Sequence, residues 1–238
     1  MNIYKKIAQE VTEQYKNRPE LIGIIWIGSS TYGIKDKYVD IDVRLLINGD
    51  KKSYPMKQKV IKGVTIEIEE ISWQWLIADL NPDSERYWIR SKAIILQDSS
   101  DVIKNTFLEL DNKIKSAWSK QLWNIYKDVI KDYEISKCID RGEFESATMY
   151  IYESINTLFK FLFVYNNKPV PTYKWRWYFL KKSRYFSRTN LEKIRKILLS
   201  TIPLKSKLQL LKQIGGKVQT MMINKGYDTK MVKEYWRY

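Results

Sequence analysis

The 238-residue chain has no histidine and a single cysteine. Without imidazole, acid–base chemistry falls to carboxylates, lysine or tyrosine. Cys138 alone closes no internal disulfide, and with no His/Cys cluster there is no zinc site to read. Long apolar runs are missing as well. Leu21–Ile27 and Phe161–Tyr165 are too short to cross a bilayer. The opening residues 1–6 lack the apolar core of a signal peptide, so the expected location is the cytoplasm, with no membrane partner.

What is present is a globular composition, 44% hydrophobic and rich in Trp and Tyr, with a formal net charge of +15. That charge is unevenly placed. Residues 1–150 carry 23 basic and 23 acidic side chains, whereas residues 151–238 carry 19 against 4. A basic half beside a neutral one suits a surface that receives phosphates, although lysines coating solvated helix faces would give the same count.

Hydrophobic periodicity divides the chain similarly. Ile3, Ile7, Val11 and Tyr15 predict a first helix ending near Arg18-Pro19. A continuous apolar strand over 21–27 is punctuated by Gly28-Ser29-Ser30. Residues 39–47 alternate, with Ile41, Val43 and Leu45 on one face and Asp40, Asp42 and Arg44 on the other. Asn48-Gly49-Asp50 reads as a turn, and 62–71 as another half-polar strand bearing Glu67 and Glu69. Ser72 is placed as the cap of a helix over 73–80, Pro82-Asp83-Ser84 as the start of the next, and 93–96 as a short edge strand. From about residue 101 the period is helical, over 102–118, 122–139 and 144–164. Further helices follow a loop at 166–171, with breaks at Ser187-Arg188, Pro203 and Gly215-Gly216. The expected architecture is α+β: a mixed-sheet domain over 1–100 and a basic helical domain over 101–238.

Two carboxylates at i and i+2 on a strand leave the same face and can grip one or two divalent cations. Their mutual repulsion is costly unless metal lies between them. Glu67 supplies a third ligand if its strand lies beside theirs, with Glu69 as the alternative. Gly28-Ser29-Ser30 offers backbone N–H groups and hydroxyls in a tight turn, a cradle for phosphate oxygens.

Gly28-Ser29, ten residues, then Asp40-Ile41-Asp42-Val43 resembles the signature of the DNA polymerase beta-like nucleotidyltransferase superfamily. Thr65-Ile66-Glu67-Ile68 followed by Ser72 resembles the kanamycin nucleotidyltransferase-like branch. Arg141-Gly142-Glu143-Phe144 and Pro169-x-Pro171-Thr-Tyr-Lys174-Trp175 are similar to the helical half of bacterial small-substrate nucleotidyltransferases. One position departs: Val39 stands where many relatives carry Ser. The resemblance implies Mg²⁺ in a two-metal site on Asp40, Asp42 and Glu67, and an NTP, ATP foremost, touched by Gly28, Ser29 and Ser30. Lys174 is a candidate to reach the triphosphate. The acceptor would be a small hydroxylated, antibiotic-like molecule that is not strongly cationic, or alternatively RNA or a protein hydroxyl. Asp132 and Glu134 match the family's base by position only, and a solvated helix face is the favoured reading for them. Residues 173–182, aromatics interleaved with cations, read either as a nucleic-acid patch or as Trp packed inside with the cations left wet.

Overall fold

The computed structural model describes residues 3–34, 38–49, 55–78 and 83–235. Three sequence expectations touch residues outside these: Asp50 of the turn, Leu80 at a helix end and Pro82 at a helix start. The chain divides into two compact units, Met1–Ala117 and Trp118–Tyr238. The first carries 18 basic and 17 acidic residues, the second 24 and 10.

The first unit is an α+β layer structure. Helix α1 (Ile3–Tyr15) leads into β1 (Leu21–Ile27), a four-residue 3₁₀ turn (Ser29–Tyr32) and β2 (Ile41–Ile47). Then come β3 (Lys57–Ile61), β4 (Val64–Ser72), α2 (Trp73–Ile77), α3 (Glu85–Ser91), β5 (Ile94–Asp98) and the start of α4 (Val102–Lys127). The sheet order is β3-β4-β2-β1-β5. All neighbours are antiparallel except β2 and β4, which run parallel.

Alternation along β2 sorts the side chains. Ile41, Val43 and Leu45 pack with Ile66 and Ile68 of β4 beneath Ile7, Ala8 and Val11 of α1. On the other face Leu46, Ile25, Ile27 and Ile71 are covered by Trp73, Leu76 and Ile103. Asp42, Glu67 and Arg44 share that second face but stand nearer the open end of the sheet.

Strand β3 has no counterpart in the sequence expectations, because Lys57–Ile61 lacks an apolar alternation and all but its last residue are exposed. It pairs back onto β4 through Lys62-Gly63, both at positive φ (52° and 78°), as a two-residue hairpin demands. Ser72 precedes α2 as expected, but its hydroxyl donates to the carbonyl of Gly49 at 2.6 Å instead of capping the helix.

The second unit is helical: α5 (Asp132–Asp140), α6 (Phe144–Tyr165), α7 (Tyr173–Lys182), α8 (Arg188–Leu199), α9 (Leu204–Asn224) and α10 (Thr229–Glu234), with the last turns of α4. The expected 122–139 helix is broken at residues 128–131, which contain no Gly or Pro. The break is tertiary: the Lys131 N–H donates to the buried Ser154 hydroxyl at 3.3 Å, and Val129 and Ile130 turn inward. Tyr126, fully buried, ties the end of α4 to α10 through its hydroxyl on the Val232 carbonyl at 2.7 Å.

The break expected at Gly215-Gly216 does not occur. Helix α9 runs straight through both, since it packs against α5, α6, α8 and α10, and Leu211, Ile214, Gly215, Val218 and Met222 form its buried face. That packing outweighs the poor helix propensity of two glycines, about 1 kcal/mol each. Gly216 is exposed, and a Cβ added there meets nothing within 4 Å. Gly216→Ala should therefore stabilise the second unit by about 1 kcal/mol, seen as a rise of about 2–4 °C in thermal unfolding. An unchanged or lower midpoint would contradict this account of α9.

Candidate metal centre

The site follows from strand register. In the parallel pair β2–β4, Asp42 stands directly beside Glu67 and Arg44 beside Glu69. Because neighbouring strands lie about 5 Å apart, side chains in register on one face meet. Asp40, two residues before Asp42, joins the same face. Asp40, Asp42 and Glu67 each offer a carboxylate oxygen, and these atoms all lie within 4.8 Å of one another. All three residues are half-buried.

Between the two candidates left open for the third carboxylate, the geometry separates the roles. Glu67 joins the cluster, while Glu69 takes the Nε of Arg44 at 3.0 Å. Arg44 also reaches Asp42, Nη2 to Oδ1 at 3.4 Å. One guanidinium thus clamps the floor of the site from the side away from Asp40.

Burial pushes the Asp42 carboxyl up to about 6. Arg44 pulls it back, while Asp40 and Glu67 push it further up. An all-oxygen set of three crowded carboxylates with one nearby cation fits a hard divalent ion, which would supply the missing positive charge. Metal must then compete with a proton at Asp42. Mn²⁺ affinity, followed by paramagnetic resonance, should be flat above about pH 7 and weaken progressively below about pH 6. In Arg44→Gln the fall should begin at higher pH, because the guanidinium charge that pulls the Asp42 pKa down is gone. A profile that stays flat through pH 5 would remove Asp42 from the ligand set.

The turn after β1 closes the site. Ile27 pairs with Asp42, and the next residue, Gly28, has φ 89° and ψ −168°. A Cβ on Gly28 would lie 2.0 Å from Asp42 Oδ2, so the backbone passes against the carboxylate only because the side chain is absent. The sequence leaves room for a full helix here. The structure has a 3₁₀ turn, ended by Gly33 at φ 75°. Such a turn leaves its leading N–H groups, those of Ser29 and Ser30, without partners inside it. Ser29 is buried. The Ser30 hydroxyl accepts from Trp26 Nε1 at 2.9 Å and keeps its own proton to donate. Thr31 braces the turn by donating its hydroxyl to the Gly28 carbonyl at 2.8 Å.

The other candidates lie in the second unit. Lys174 is exposed on α7, its ammonium 5.6 Å from the centre of the Trp175 ring. Asp132 opens α5 and pairs with Lys212 at 2.9 Å, and Glu134 is exposed. Both line a cavity of about 650 Å³ shared with Lys127, Lys131 and Tyr235. In the patch over residues 173–182 the lysines are exposed, while Trp175 and Trp177 are half-buried and not packed fully inside. Arg176 is the buried member, donating Nε to the Pro171 carbonyl at 3.0 Å and Nη1 to Asn156 Oδ1. Trp177 is only half-buried, tilted against Phe159. Arginine is inside because two fixed acceptors satisfy it there.

No protein-family model and no curated protein matches the chain. Among solved structures it is similar to the crystal structure of a nucleotidyltransferase-like protein from Exiguobacterium sibiricum, with a TM-score of 0.55 over 93% of this chain and 75% of that one, at 14% identity. At that identity the likeness speaks to fold and does not reach the kanamycin nucleotidyltransferase-like branch. The chain has a nucleotidyltransferase-like fold, with an acidic cluster suited to a divalent metal.

Proposed function

We propose that this chain moves a nucleoside monophosphate from an NTP, ATP foremost, to an acceptor hydroxyl, with Mg²⁺ held by Asp40, Asp42 and Glu67. The observation that carries the reading is the convergence of those three carboxylates on the face where Gly28 brings the backbone against Asp42. Divalent ions bound there supply positive charge against the phosphoryl group in transfer and orient its oxygens. The chain's own residues do the rest. Gly28 admits the triphosphate close to the backbone, and the N–H groups and hydroxyls of Ser29 and Ser30 donate to its oxygens. Arg44, fixed by Glu69, holds the Asp42 carboxylate in place. With no histidine in the sequence, the proton leaving the acceptor hydroxyl passes to a carboxylate, lysine or tyrosine. Lys174, exposed on α7, is our further candidate for binding an NTP.

The acceptor we favour is a small hydroxylated molecule without strong positive charge, since a unit with 24 basic and 10 acidic residues repels polycations. The same charge favours a second reading, transfer onto RNA or a protein hydroxyl. No helix among the described residues is long and apolar enough to cross a membrane, and we place the activity in the cytoplasm. Incubation with Mg²⁺ and each α-labelled NTP, in the presence of a hydroxylated antibiotic panel, total RNA and cell protein, decides between them. Label on a small molecule is expected. Label on RNA or protein selects the second reading, and no transfer from any NTP overturns the proposal.

A further inference from the structure

A second chemically distinctive place lies in the helical unit, between α7 and α8. The cavity there has a volume of about 950 Å³, and Lys181, Arg184, Arg188 and Arg195 line it against one acid, Glu192. None of the four cations is hydrogen-bonded or ion-paired to a carboxylate among the described residues. Elsewhere in the unit cations do find partners, as Lys131 does in Glu153 and Lys212 in Asp132. All four are exposed, so solvent screens their mutual repulsion, and together they give the concavity a positive potential that draws an anion.

Helix α8 sharpens the imbalance. Its first turn holds no acidic residue, and Arg188 occupies the position where the helix dipole is already positive. Ser187 caps it by accepting from the Asn190 N–H at 3.3 Å, leaving the earlier N–H groups directed outward. The rest of the lining is apolar and in part aromatic. Trp177 is half-buried, Phe186 is buried, and Leu199 is 74% exposed, an apolar side chain that nothing covers. A bare phosphate would use the cations and waste those walls; a flat base carrying a phosphate would use both.

We infer that this cavity is a binding site for a phosphate-bearing nucleotide, taken either as a free mononucleotide or as one unit of a single-stranded RNA. The phosphate sits among Arg184, Arg188 and Arg195, and the base lies toward Trp177 and Leu199. The inference stands apart from the metal centre, and Asp42→Asn leaves it untouched.

The test is fluorescence anisotropy of a 5′-labelled adenosine dodecamer with the full chain between 50 and 200 mM KCl. The variant Arg184→Gln/Arg188→Gln/Arg195→Gln should bind at least about tenfold more weakly, with a salt slope shallower by roughly two, near 0.7 for each single-strand phosphate no longer neutralised. Lys205→Gln/Lys217→Gln/Lys230→Gln removes the same charge from exposed positions elsewhere on the unit and should change little. Leu199→Gln, at an exposed position and neutral, should weaken binding through the apolar wall. Competition with unlabelled AMP separates the two sources. Displacement shows that one nucleotide fills the site, while failure to displace shows that the strand's successive phosphates are needed. An equal loss in both triple variants, equal competition by a glutamate-rich peptide, or no binding at 50 mM KCl would overturn the inference.

Discussion

Replacing Asp42 with Asn is expected to lower Mg²⁺-dependent nucleotidyl transfer by on the order of a thousandfold and, in the same protein, to raise the melting temperature of the metal-free form. The first effect follows from removing the central ligand of the cluster, a loss of several kcal/mol of charge stabilisation. The second follows from linkage. The folded state holds the Asp42 carboxyl at about 6 against an ordinary value of 3.8, so it binds the proton more tightly than the unfolded chain does. Stability from this group is therefore present at low pH and is lost as pH rises from about 4 through about 6. At pH 7 the ionised carboxylate opposes folding by roughly 1–3 kcal/mol, and an uncharged amide of the same shape removes that cost. In EDTA at pH 7 the variant should melt several degrees higher than the parent, and at pH 4 the gap should close. Saturating Mg²⁺ should stabilise the parent and leave the variant unmoved. A residue with a purely structural role would show the opposite pattern, destabilised by substitution and indifferent to metal. Turnover that survives the substitution would take Asp42 out of the metal site altogether.

The acidic cluster was legible in the sequence because its logic is local. Asp40 and Asp42 share a face by the two-residue period of a strand, and Gly28-Ser29 marks the end of the strand before it. What the sequence did not contain was register. Glu67 and Glu69 are equivalent under alternation, and only the parallel pairing of β2 with β4 sets Glu67 beside Asp42 and leaves Glu69 to Arg44. The helical unit was readable in its periods but not in its interruptions. Gly215-Gly216 carries a clear local breaking signal, yet lies inside α9. Residues 128–131 carry no such signal and end α4. In both places tertiary packing decides, through partners distant in sequence. Arg176 is the same lesson at the level of one side chain: its acceptors, Pro171 and Asn156, are fixed by the loop before α7 and by α6. Alternation of cations and aromatics along 173–182 could not say which of them would find such partners.

Gly28 gives the sharpest test of how the turn and the carboxylate depend on each other. Gly28→Ala should destabilise the first unit by about 3–4 kcal/mol and abolish metal-dependent turnover, for two separable reasons. The backbone at φ 89° is strained for any residue with a Cβ, a cost of about 1–2 kcal/mol. The added methyl would also lie 2.0 Å from Asp42 Oδ2, and a semi-buried carboxylate clamped by Arg44 and crowded by Glu67 has no free direction in which to retreat. The two costs part company when Asp42 is shortened. In an Asp42→Ala background, Gly28→Ala meets only the backbone strain, so its effect on unfolding free energy should fall by about 2 kcal/mol. That is a coupling well above the few tenths expected of independent sites. Denaturant titration of the four proteins at pH 7 without metal measures it. If the coupling is absent, the turn after β1 does not press on Asp42, and the glycine of the Gly-Ser pair is there for φ alone. If it is present, the same approach that forbids a side chain at Gly28 is what sets the backbone of the turn against the carboxylate cluster. The glycine and the aspartate then form one device, although thirteen residues separate them in the sequence.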